Sequence, residues 1–128
     1  MAALSNYLEN ALMNAVLNNT SYTSPATTFV GLFTSDPTDE YSGTEISGGS
    51  YARQAASFGS PSNGNCTNDA DITFPQATGD WGTVTHFGLF DASSTGNLLF
   101  HGALTSSKVI ETGDIFKIAT GNLSITLA

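Results

Sequence analysis

The chain has 128 residues, of which 40% are hydrophobic, so it is long and apolar enough for one domain with a buried core, yet only 11% are charged against about 25% in typical soluble domains. Three cations (Arg53, Lys108 and Lys117) face eleven acidic residues, a net charge of −8. That composition excludes a coiled coil and a charge-driven disordered tail, and it leaves too few cations to displace counterions from a nucleic acid or to hold an anionic membrane surface.

Residues 1–19 lack a basic leader region, so a signal peptide is not expected, and no apolar run reaches the roughly 18–20 residues of a membrane span. Within this stretch, Leu4, Leu8, Ala11, Leu12, Ala15 and Val16 recur at helical spacing. The spacing predicts an amphipathic helix over 4–18, with Ser5 as a candidate N-cap. Asn6, Asn10 and Asn14 line the opposite face, so the helix is expected to lie on something.

After Pro25, short runs rich in Val, Ile, Phe and Thr alternate with Gly, Asn, Asp and Ser clusters. These predict strands near 27–34, 50–58, 70–75, 83–90, 97–104, 114–119 and 121–127. Two long polar loops, 35–49 and 59–68, separate the early strands, and loops of that length are usually functional or flexible. The expected fold is mainly β: a single-domain antiparallel β-sandwich or barrel-like fold with an N-terminal amphipathic helix. Residues 1–24 form the helix and linker, and 25–128 the β-sandwich.

A six-residue loop at 91–96 pairs Phe90 with Asn97, Phe87 with Phe100 and His86 with His101. Phe87, Leu89, Leu98 and Phe100 then share the core face. Ile115, Ile118, Leu123, Ile125 and Leu127 are expected to join them, with Phe29 or Phe33. The tripeptide Gly-Leu-Phe occurs at 31–33 and again at 88–90, which suggests two equivalent strands with a close approach at each glycine.

No spacing here activates a nucleophile or closes a metal shell. His86 and His101 as cross-strand neighbours supply two ligands where zinc usually takes three or four. Cys66 is the single cysteine, has no cation beside it, and forms no internal disulfide. Asp69 and Asp71, and the run Asp36, Asp39, Glu40, offer oxygen ligands without the spacing of a calcium loop. Neither catalytic residues nor a metal or cofactor are expected. Arg53 stands apart from the other charges, inside a strand pattern with Tyr51 and Ala55 on its face. It reads either as an exposed arginine or as one paired with a carboxylate of this chain or of a partner.

The segments FVGLFTSDPTD (29–39), GTEISGGSYARQ (43–54), WGTVTHFGLFD (81–91) and NLLFHGAL (97–104), followed by Gly113-Asp114 and LSITL (123–127), resemble a family of small tailed-bacteriophage structural proteins. Its members are variously labelled tail-fibre-like, head-fibre or virion proteins. The resemblance spans nearly the whole chain in order, and it implies a virion location with no enzyme activity. The leading expectation is a capsid decoration (cement) protein on the outer shell, bound to the major capsid protein. A tail or baseplate fibre component is the alternative. A carbohydrate-binding module, with Trp81, Tyr41 and Tyr51 stacking on sugars, is the third. A homo-oligomer is expected, preferably a trimer, since oligomers are usually symmetric and shells offer three-fold sites. The expected interface comprises Leu4, Leu8, Leu12 and Val16 on the helix and Asp36, Asp39, Glu40, Glu45, Tyr51 and Arg53 in and after the acidic loop.

Overall fold

A computed structural model describes residues 2–127; Met1 and Ala128, the outer bounds of the two expected segments, lie outside the described residues. The chain is mainly β, with 37% strand and 10% helix. A short strand β1 (Ala3–Leu4) leads into helix α1 (Asn6–Leu17). Eight further strands follow: β2 (Thr28–Phe33), β3 (Gln54–Ala56), β4 (Asn65–Thr67), β5 (Ile72–Thr73), β6 (Gly82–Phe90), β7 (Leu98–Ile110), β8 (Lys117–Ile118) and β9 (Ser124–Thr126). No helix among the described residues is long and apolar enough to cross a membrane.

Five strands form one antiparallel sheet in the order β1-β7-β6-β2-β3. Its face bearing Val30, Leu32, Phe87 and Leu89 packs on an irregular two-stranded ribbon, in which β4 pairs with β9 and β5 with β8. Ile72, Phe74, Phe116, Ile118, Leu123 and Ile125 of the ribbon region join this main core, together with Ile46, Trp81, Val84 and Ile110. Successive strand residues point to opposite faces, so Gly31, Phe33, Gly88 and Phe90 look the other way. Phe33, Phe90 and Leu98 form a second, smaller core there.

Several expectations are corrected. Residues 3–4 pair with β7 at Phe100 and His101 instead of starting the helix. Ser5 ends that strand and caps α1, its side-chain oxygen accepting from the Leu8 N–H. The expected strand over 50–58 shrinks to β3, because Gly48, Gly49 and Ser50 all take positive φ and form a turn. Part of the expected loop 59–68 is strand β4. Strand β7 runs six residues beyond the expected end.

The hairpin register is shifted by two residues. Leu89 faces Phe100, Phe87 faces Gly102 and His86 faces Ala103. Leu99 is an extra residue between the Leu89–Phe100 and Phe90–Leu98 pairs, and this bulge moves Leu98 to the opposite face. Asp91 fixes the longer loop, accepting from both the backbone and the side-chain amide of Asn97. Ile115 and Leu127, expected in the core, are 56% and 47% exposed; Phe116 is buried where Ile115 was expected. Residues 114–116 are not strand, so alternation does not govern which of them turns inward.

Candidate functional site

The second face of the sheet is covered by residues 34–53. Beyond the three pairs made by β3, strand β2 has a free edge, and this segment closes it: Leu32 donates its N–H to the Tyr51 hydroxyl and accepts from the Ile46 N–H. Glu45 bridges Phe33 across the same edge. The arrangement carries Glu45 and Arg53 over the aromatic face, while the Tyr51 ring packs in the main core and its hydroxyl reaches the edge beside Gly31.

Arg53 is buried and makes full use of its guanidinium. Nε and Nη2 each donate to one oxygen of Glu45 at 2.8 Å. Nη2 also reaches the Tyr41 hydroxyl at 3.1 Å, and Nη1 reaches the carbonyls of Ala92 and Thr95 at 3.1 and 2.7 Å. Its Cζ lies 3.5 Å from the centre of the Phe90 ring. The fork geometry of arginine satisfies a carboxylate and a loop together, which a lysine point charge does not do. The exposed-arginine reading is therefore overturned. Tyr51 donates to Glu45 at 2.7 Å. Burial and the Glu45 carboxylate raise the Tyr51 pKa, so its hydroxyl stays a donor through the ordinary phenol range.

The repeated Gly-Leu-Phe now has a geometric account. Gly31 and Gly88 are directly opposite one another in adjacent strands. A Cβ on Gly31 would stand 2.8 Å from a Glu45 oxygen, 2.9 Å from the Phe90 ring and 3.1 Å from the Tyr51 hydroxyl. Gly31→Ala is accordingly expected to cost about 1–3 kcal/mol, the usual range for overpacking. Denaturant unfolding measures it, and a wild-type midpoint in that variant would mean the cluster yields freely.

Asp36 and Asp39 sit apart from this cluster. Asp39 lies 2.7 Å from Nε2 of the buried His101, and Asp36 lies 3.8 Å from Nδ1. The Asp39 carbonyl also accepts from the Asn6 N–H at the start of α1. The expected His86–His101 pair does not form: His101 faces Gly88, and His86 bonds Thr85. Asp69 bonds Ser57. Asp71 accepts from the backbone and hydroxyl of Thr120 and pairs with Lys117, contacts that hold its carboxyl below the usual range. Among the described residues, no three His, Cys, Asp or Glu side chains are grouped to hold a metal.

The expected interface set thus divides into three groups. Glu45, Tyr51 and Arg53 bond one another; Asp36 and Asp39 meet at His101; Glu40 is exposed. On the helix, Leu8 is buried, Leu4 (in β1) and Leu12 are half-buried, and Val16 is 78% exposed. Trp81 is buried and donates to the Gly49 carbonyl, while Tyr51 stacks on Phe74, so neither offers a free sugar platform. The sequence reading missed Tyr41 and Phe90 as Arg53 partners; the paired glycines were the signal for that crowded face.

A protein-family comparison matches residues 3–126, and the family is described as podophage GP4 fiber I protein gp80. A comparison with curated proteins finds no match. The match runs from the first residue of β1 to the last of β9 and so takes in the helix, both cores and the Arg53 cluster. The chain belongs to the podophage GP4 fiber I protein gp80 family and is a phage virion component.

Proposed function

We propose that this chain is a structural subunit of a phage fibre and acts through shape and contact, without catalysis. The observation that carries this reading is the extent of the family match, which leaves no strand of the fold outside it. The internal chemistry agrees with a structural role. The principal charged cluster bonds this chain's own loops and presents no activated nucleophile. A capsid decoration role on the major capsid protein is the second reading. The uncharged, apolar end of α1 offers a contact surface that would serve on a shell as well as in a fibre, so it does not separate the two readings.

Copy number separates the two. Quantitative protein analysis of purified particles, with antibody labelling in the electron microscope, is expected to give a small multiple of three or six copies and label on appendages. Hundreds of copies with label over the head would replace the fibre reading with the shell reading.

A further inference from the structure

A tight turn leads into β4. Ser62 and Asn65 exchange backbone hydrogen bonds at 2.9 Å each, and between them Asn63 and Gly64 take φ of 52° and 77°. Positive φ at both central residues defines the two-residue hairpin turn that favours Asn-Gly. The Gly64 carbonyl accepts from the Leu127 N–H at 2.7 Å, and a Cβ on Gly64 would stand 2.6 Å from the Leu127 carbonyl. The turn thus ties the start of β4 to the chain just past β9, and only glycine fits there.

The pair that this turn requires is also the pair most prone to intramolecular imide formation, because glycine carries no Cβ to crowd its own nitrogen. Asn63 is the one asparagine of this chain that precedes a glycine. Residues 61–64 are exposed, and among the described residues no backbone carbonyl accepts from the Gly64 N–H.

We propose that Asn63-Gly64 is a self-modification site, at which the chain converts its own amide to an isoaspartyl link and loosens β4 from β9. The Gly64 nitrogen gives its proton to solvent base and attacks the Asn63 side-chain carbonyl carbon. The side-chain nitrogen leaves as ammonia, and a five-membered imide remains. Water then opens the imide at either carbonyl, to aspartate on an unchanged backbone or to isoaspartate, whose backbone runs through the former side chain. Ring closure needs the Gly64 nitrogen to swing toward that side chain, and the paired Ser62–Asn65 bonds resist the rotation. The reaction therefore waits on opening of the turn, which a two-stranded ribbon of three residue pairs permits. Isoaspartate adds one backbone carbon to a two-residue turn, so Ser62 and Asn65 lose their register and the Gly64 carbonyl is drawn from Leu127. This site does not rest on the fibre assignment.

The test holds the purified full chain at mildly alkaline pH, with and without urea, and samples it over time. Ion exchange should resolve a form with one added negative charge, and peptide mass mapping should place the change at Asn63 ahead of every other asparagine. Urea should speed it. Cys66, in β4, bonds the Gly59 carbonyl at 2.9 Å and reports on that strand. Its reaction with a thiol reagent should be faster in the isolated isoaspartyl form than in unmodified chain. A freshly purified Asn63→Asp variant, with the same charge on an ordinary backbone, should react as unmodified chain does. Conversion at Asn63 no faster than at other asparagines, or no faster in urea, would overturn the proposal. So would unchanged Cys66 reactivity in the isoaspartyl form, or raised reactivity in Asn63→Asp.

Discussion

Replacing Arg53 with methionine should destabilise the protein by about 3–5 kcal/mol, the usual cost of removing one partner from a buried ion pair. The loss is not the pair's attraction alone. Glu45 would keep its carboxylate at 19% side-chain exposure with only Tyr51 donating to it. The Ala92 and Thr95 carbonyls would lose their side-chain donor, and these belong to the loop that sets the β6–β7 register. At roughly 3–5 °C per kcal/mol for a chain of this size, the thermal midpoint should fall by about 10–20 °C. Arg53→Lys should recover little, since one ammonium does not span both Glu45 oxygens and the loop. Arg53→Met combined with Glu45→Met should lose less than Arg53→Met alone, because the orphaned charge leaves with its partner. Thermal unfolding of the four proteins measures all of this. An Arg53→Met midpoint equal to wild type would mean that the cluster is wet and contributes no stability.

Local features were legible in the sequence and long-range ones were not. Ser5 reads correctly as the cap because capping depends on the next three residues. Its other role, bonding the Leu98 carbonyl across the sheet, has no local trace. The β6–β7 hairpin is evident from its alternation, but alternation does not reveal the extra residue at Leu99, and one bulge is enough to turn Leu98 over. Within the candidate site, Arg53 was conspicuous as a lone cation in a strand pattern. Its five acceptors come from residues 41, 45, 92 and 95, so the fold had to be known before they could be named. His101 was likewise singled out, but its nearest carboxylate is 62 positions away.

Asn68→Asp is the second large change expected, and it should depend on pH. Asn68 is 1% exposed and sits where the ribbon breaks between β4 and β5. Its amide donates to the Ala70 and Ala119 carbonyls at 2.9 and 3.1 Å, and its side-chain oxygen accepts from the Leu123 N–H at 2.9 Å. Its backbone holds the same join, donating to Leu123 and accepting from Gly121. An aspartate has the same shape but, when ionised, no donors. It would turn a buried negative charge toward two carbonyl oxygens, so a loss of about 3–5 kcal/mol is expected at pH 7. Burial and those carbonyls would raise the folded-state pKa of the new carboxyl above its unfolded value of about 3.9. The folded variant then binds the extra proton, so the penalty is smallest below the unfolded pKa and grows as pH rises through the folded one. Protonated, the carboxyl regains one donor for Ala70 or Ala119. The stability gap between wild type and Asn68→Asp should therefore narrow as pH falls from 7, whereas Asn68→Leu should show a gap that does not vary with the same titration. Denaturant unfolding of the three proteins at a series of pH values measures both gaps, and a pH-independent gap for Asn68→Asp would mean that the ribbon opens and hydrates the new carboxylate.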